Sequence, residues 1–159
     1  MPGFAERTLG DVLAALASDA ASPESGAAAA ITMALSAACA GKALAISRKH
    51  RPPEEYLQRA ERQLAAIVRR SLAQADTDAK LFDEFIHHRN ANSAAELVCA
   101  DASSQDLATE LASLLDSIAE AVHPVVQGDI AAARALLAAV NTIEARMRAE
   151  NERQARSGR

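Results

Sequence analysis

Asp78 is the residue whose type and position best suit it to move a proton. It stands three residues after Ala75 and four before Phe82, on the border of an apolar stripe, with Ser71 and Leu64 at seven-residue steps behind it. A carboxylate beside a buried stripe costs free energy unless it is paired or hydrated, and such a place shifts its pKa. The chemistry on offer is general acid–base catalysis. The plainer reading is an edge residue that reaches water or pairs with an arginine. Lys42 interrupts a long apolar run, either as a site cation or as a side chain that snorkels to the surface. His87, His88 and His123 raise a metal hypothesis, but adjacent histidines on a helix diverge and no HxxxH or ExxH pair accompanies them, so no metal is expected. Cys39 and Cys99 lack metal-ligand spacing, and Cys39 reads as a buried free thiol. Asp76/Lys80 and Glu84/His88 read as surface pairs four residues apart. There is no phosphate-binding glycine loop, GxSxG elbow or CxxC motif.

The element that must position these groups is the stretch GAAAAITMALSAACAGKALAIS, Gly26 to Ser47, whose only charge is Lys42. A helix apolar on every side needs cover on every side, so this one is expected at the centre of a bundle. Its length suffices to span a bilayer. Its leucines and isoleucines are sparse, however, and Thr32, Ser36 and Lys42 interrupt it, so no membrane span is expected. Before it, Leu9, Val12, Leu13 and Leu16 give a first helix from Glu6 to Ser18, with Thr8 and Asp11 as a capping pattern. Asp19 to Ser25 reads as a turn, with Pro23 disfavouring helix at Ser22. A third helix starts at Pro53 or Glu54 and runs to His87, its stripe being Leu64, Val68, Leu72, Ala75, Ala79, Phe82 and Ile86. HHRNANS reads as a loop. The fourth helix begins at Asp101 to Ser104 after a helical turn at Ala94 to Val98. It is lined by Leu107, Leu111, Leu114, Ile118, Val122 and Val125, with a kink at Pro124. Gly128 and Asp129 separate it from the fifth, with Asp129 as its cap and Ile130, Ala133, Leu137, Val140 and, further along, Met147 facing inward.

These segments predict an all-α antiparallel bundle of about five helices: one domain over residues 1–150 and a polar, frayed tail over 151–159. Of the 159 residues 50% are hydrophobic and only 3% aromatic, which suits close-packed Ala and Leu helices rather than sheets. The net charge of −4 argues against nucleic acid as main partner. The start of the chain has an acid early and no apolar stretch of signal-peptide type, so a cytoplasmic location is expected.

Taken in order, three blocks resemble the cyclodeaminase/cyclohydrolase family, which includes the C-terminal domain of formiminotransferase-cyclodeaminase and bacterial methenyltetrahydrofolate cyclohydrolases. The first is Leu9 to Ser47, a short helix leading through a Ser-Pro turn into an Ala-rich buried helix. The second is LAQADTDAKLFDEF, Leu72 to Phe85, similar to the family's Asp-x-x-Ala-Phe/Tyr segment, with Asp78 in the place of its acidic residue. The third runs from GDIAAARALLAAV to RMRAEN, with Asp129 and Asn151 in matching places. The resemblance implies an all-helical homodimer with a tetrahydrofolate derivative as substrate and no bound cofactor. Asp78 would be the catalytic acid or base. Ser25, Gly26, Lys42, Phe82 and Asp129 would bind substrate. The implied reaction opens or closes a one-carbon ring: formimino-tetrahydrofolate loses ammonia, or methenyl-tetrahydrofolate adds water.

One departure separates two readings. Where the family's turn is roughly Pro-Gly-Gly-Gly-Ser, this chain has Glu24-Ser25-Gly26-Ala27-Ala28-Ala29. Consecutive glycines let a backbone approach a ligand, and one glycine followed by alanines narrows that approach. The alternative to an enzyme is therefore a non-catalytic dimeric helical protein that keeps the fold without the folate site. A helical partner-binding domain outside the family is a third reading.

Overall fold

The structure is a computed structural model of the chain and describes residues 3–52, 54–88 and 91–157. Its helices are α1 (Leu9–Leu16), α2 (Ser25–Ser47), α3 (Glu55–His88), α4 (Ala91–Ile118) and α5 (Gln127–Ser157), joined by short 3-10 turns. No strand occurs among the described residues, so the all-α expectation holds.

Four long helices form an antiparallel ring. α2 packs along α3 and α5, α4 packs along the same two, and α2 meets α4 only slightly across the diagonal. The alanine-rich helix is thus a corner of the bundle, not its centre. Alanine still explains its place: without long side chains, α3 and α5 both approach its backbone closely. Met33, Ala37, Ala40, Ala43 and Leu44 form its inner face and join Leu57, Leu64, Ile67, Leu107, Leu111, Leu115, Ile118, Ala133 and Val140 in the main core. Two hydroxyls tie α2 to its neighbours. Ser36 Oγ donates to Ala133 O at 2.7 Å, and Ser47 Oγ accepts the His123 amide at 2.7 Å. The outer face of α2 keeps its apolar character, and Leu35 is 50% exposed. Among the described residues, the stretch from Ser25 is the one long and apolar enough to cross a membrane, and half of its most apolar window is buried by its own chain.

Several element boundaries differ from expectation. α1 is shorter, and only Val12 of its apolar set is buried, Leu9 and Leu13 lying exposed. The Thr8 cap is present, its hydroxyl oxygen accepting the Asp11 amide at 3.2 Å. The buried column of α3 is Leu57, Ala60, Leu64, Ile67, Ser71 and Ala75, with Val68 and Leu72 only partly covered. α4 begins at Ala91, so most of the expected HHRNANS loop is helix or lies outside the described residues. Pro124 does not kink a continuing helix. α4 ends at Ile118, and Pro124 opens a 3-10 turn that leads into α5 at Gln127, leaving Val125 exposed and Asp129 inside the first turn instead of at the cap. The supposed tail continues α5 as helix through Ser157.

The surface pairs also shift. Lys80 pairs with Glu84 at 3.8 Å, and His87 lies 3.7 Å from Asp83. Asp76 instead faces the start of the chain. Its Oδ1 accepts the Phe4 amide at 2.9 Å and holds the N-terminal segment against α3. Phe4 thereby enters a second, smaller core with Val12, Ala27, Ala30 and Ala75. That core closes the end of the bundle at which α2 begins.

Candidate functional site

At that end the seven-residue column Leu64, Ser71, Asp78 reaches the start of α2. Leu64 and Ser71 are fully enclosed, so Asp78 continues a buried column, as its spacing suggested. It is partly covered, and its Oδ2 is buried with no hydrogen-bond partner in the protein. Burial pushes its carboxyl up to about 7, and the neighbouring Glu24 and Asp101 charges push the same way. The Ala27 amide, in the first turn of α2, donates to this carboxylate and pulls its pKa down. The positive end of the helix dipole favours an anion at that point, yet desolvation prevails.

Gly26 makes this approach possible. A Cβ there would stand 2.5 Å from Asp78 Cγ, nearer than two unbonded carbons come. Its φ is not positive, so the glycine is required for space and not for backbone conformation. The close approach that a glycine permits is present, but what approaches the backbone is the chain's own carboxyl. Glu24 takes the Gly26 amide: its side chain accepts from Gly26 N at 3.4 Å and from Ser25 Oγ at 2.8 Å.

A pocket of about 120 Å³ opens beside Asp78, lined among others by Gly26, Gln74, Asp101, Ser104, Glu144 and Met147. A more open groove of about 370 Å³ between α3 and α4 adjoins it, sharing Thr77, Ala100 and Ser103 and adding Leu81, Glu96 and the exposed Cys99. Asp101 is 7% exposed. Burial raises its pKa, and Glu24 adds to the rise, while a hydrogen bond from Asn151 Nδ2 at 2.9 Å and the Arg148 charge oppose it. Glu144 is raised by burial and by Asp101, against the hydrogen bond from Ser104 Oγ and the Arg148 charge. The site is therefore a carboxylate-lined pocket built by α3, α4 and α5 against the start of α2. Among the described residues no three His, Cys, Asp or Glu side chains are placed to hold a metal ion.

Of the residues predicted to form the site, the structure brings Gly26 and Asp78 together at the pocket. Ser25 is exposed beside it. Phe82 lies one turn further along α3, its ring 6.5 Å from that of Phe85, and does not line the pocket. Lys42 and Asp129 pair with each other at 3.8 Å on the surface. Sixteen residues of helix separate Lys42 from Gly26, about 24 Å at the usual rise. Asp101, Ser104, Glu144 and Gln74 are not among the predicted residues. The signal for three of them was present. The inward positions Ile130, Ala133, Leu137 and Val140 continue at the same spacing to Glu144, Met147 and Asn151, and Leu111, Leu107 and Ser104 lead back to Asp101.

The comparison with curated proteins finds no match. The sequence model described as formiminotransferase-cyclodeaminase matches residues 8–105. That stretch runs from the cap of α1 through the first half of α4 and contains Gly26, Asp78, Asp101 and Ser104; Glu144, Arg148 and Asn151 lie beyond it. With more than half of its length matched, and an all-helical structure around it, the chain belongs to the formiminotransferase-cyclodeaminase family.

Proposed function

We propose that the protein opens or closes the one-carbon ring of a tetrahydrofolate adduct, with Asp78 as the group that gives and takes the proton. The observation that carries this reading is the Asp78 carboxyl, partly buried at a pocket and poised near 7. A catalytic acid or base works best with a pKa close to the working pH. In the deaminating direction, the Asp78 carboxylate takes the proton of the ring nitrogen as it closes on the protonated one-carbon unit, and passes it to the departing nitrogen, which leaves as ammonia. In the hydrolytic direction, the carboxylate takes a proton from the water that adds to the methenyl carbon. The inner pocket is below the usual range of about 300–1,000 Å³ for whole ligands. It suits the reacting one-carbon end alone, and the adjoining groove suits the ring system. The tetrahydrofolate derivative is the substrate in this reading, and no separate cofactor is invoked.

The same reading takes the protein as a cytoplasmic homodimer. The exposed Leu9, Leu13 and Leu35, and the apolar outer face of α2, support the dimer. Light scattering should give twice the monomer mass at micromolar concentration, and a monomer would contradict it.

A second reading, the non-catalytic dimer, has one specific observation in its favour. The first amides of α2 are engaged by Glu24 and Asp78, so the turn offers little backbone to a ligand. The deciding experiment follows methenyl-tetrahydrofolate by near-ultraviolet absorbance and ammonia release from formimino-tetrahydrofolate. Acceleration of either over buffer, lost in Asp78→Asn, supports the enzyme. Acceleration of neither leaves the non-catalytic dimer.

A further inference from the structure

The segment ahead of α1 is fastened to α3 at two successive residues. At Gly3 a Cβ would stand 2.8 Å from Asp76 Oδ2, so the close approach needs a glycine. The next amide, that of Phe4, donates to Asp76 Oδ1 at 2.9 Å. Phe4 to Glu6 then form a 3-10 turn, with Glu6 N donating to Gly3 O at 2.9 Å. Phe4 is buried, and the Arg7 guanidinium lies 5.0 Å from its ring centroid. The stretch matched by the family begins at residue 8, so it does not include this segment.

The fastening holds Phe4 behind the wall of the site. Phe4 is the one aromatic member of the smaller core, with Val12, Ala27, Ala30 and Ala75. Two of these alanines also belong to the site. The Ala27 amide donates to Asp78, and Ala30 lines the inner pocket. Ala75 stands three residues before Asp78 on α3. Alanines alone leave space between two helices, and an unfilled space forfeits contacts on its lining. A buried phenylalanine ring supplies the missing volume. Packed interiors resist compression, so a ring against one side of the first turn of α2 fixes how near its other side comes to α3. How near that is shows at Gly26, where a Cβ would collide with the Asp78 carboxyl.

We infer that Phe4 is a positioning residue of the site: fastened through Asp76, its ring wedges the first turn of α2 and keeps Gly26 and the Ala27 amide against the Asp78 carboxyl. The inference rests on Asp78 as the proton-bearing group and not on the identity of the substrate. The charges that act on Asp78 are Glu24 ahead of α2 and Asp101 on α4, while Glu144 and Arg148 of α5 act on Asp101 or on each other. Asp76 and Arg7 lie on the side of the N-terminal segment. Shortening Phe4 changes none of these charges, so any shift in the Asp78 titration then reports movement of α2 and entry of water. Burial outweighs the Ala27 hydrogen bond at Asp78, so a loosened first turn lowers its pKa toward the ordinary value.

The test is a pH titration of the full chain by carbon NMR, with its aspartate side-chain carboxyls labelled. The wild-type Asp78 midpoint is expected near 7. In Phe4→Ala it should fall by about one pKa unit or more, about a tenfold loss of proton affinity. Phe4→Leu, which refills most of the space, should restore most of the difference. Gly3→Val pushes the segment off Asp76 without changing a charge. It should lower the midpoint in the same direction, and it covers the case that Phe4→Ala does not fold. Leu115→Ala, fully buried in the main core, should lower stability and leave the midpoint where it was. An unmoved midpoint in Phe4→Ala, or in Gly3→Val should Phe4→Ala not fold, would overturn the inference. So would an equal shift in Leu115→Ala, or a wild-type chain in which no aspartate titrates near 7. Ring turnover with an unmoved midpoint sinks this inference alone, and a moved midpoint without ring turnover sinks the folate reading alone.

Discussion

Where α2 ends, Leu44, Leu57, Leu115 and Ile118 pack with Val122, Val126 and Ile130 into a dry core. Where α2 begins, the same four long helices bring together Gly26, Asp78, Asp101 and Glu144 around a pocket. The first arrangement gains free energy with every apolar area removed from water. The second loses some of it, because three carboxylates are held where ionisation is costly. The difference shows how one bundle divides its labour. One end supplies the surplus stability that lets the other hold groups in unfavourable surroundings, an arrangement typical of sites whose pKa values must be displaced.

The largest effect that would sharpen this contrast is at the dry end. Leu115→Ala, at a fully buried position, should cost about 2–5 kcal/mol of stability in urea unfolding and leave any turnover of the folded protein nearly unchanged. Comparable losses of turnover and stability would show that the two ends are not separable. The converse variant is Asp78→Asn. Turnover should fall about a hundredfold, equivalent to about 2.7 kcal/mol of barrier, with the far-ultraviolet circular dichroism unaltered. A fall of less than tenfold would remove Asp78 from the proton transfer. Asp76→Asn is not a neutral control, since Asp76 accepts the Phe4 amide; Asp83→Asn, exposed on the same helix, serves instead.

Gly26→Ala should come next, since its Cβ collides with the Asp78 carboxyl. Overpacking of this kind costs about 1–3 kcal/mol. In the double variant Gly26→Ala/Asp78→Ala the collision disappears, so most of that loss should be recovered. No recovery would mean that Gly26 serves something other than the approach of Asp78.

These variants also mark what could be read before the fold was known. The all-helical class, the Thr8 cap and the inward column through Leu64, Ser71 and Asp78 followed from spacing, because helical periodicity fixes which residues share a face. The place of α2 did not. An all-apolar helix requires cover, but periodicity does not say whether its own chain or another supplies it, and the exposed Leu35 shows that this chain covers only part. Lys42 and Asp129 were eligible for the site by type, yet depth along the bundle separates them from Asp78, and depth depends on how antiparallel helices are set against each other. Glu144 and Asp101 were obscured because a charged residue on a surface-rich helix resembles its solvated neighbours until its column is followed to the end.

The smallest effect is in the pH dependence of stability. The folded pKa of Asp78, about 7, lies above its ordinary value of 3.8. The folded chain therefore holds the proton more tightly, and this group's contribution is fully present below the ordinary value and is lost as pH rises through about 7. Burial acts in the same direction on Asp101 and Glu144. The melting temperature should be lower at pH 8 than at pH 5.5, and the difference should shrink in Asp78→Asn. A melting temperature that rises over this interval, with no change in the variant, would indicate that the carboxylates of this end are well paired.

The central claim is that the end of the bundle where α2 begins holds a carboxyl poised near neutrality. The direct measurement is a pH titration by carbon NMR of protein labelled at its aspartate side-chain carboxyls. One resonance should titrate with a midpoint near 7 and vanish in Asp78→Asn. If every aspartate titrates below about 5, Asp78 is an ordinary ionised side chain and the account of the site is wrong.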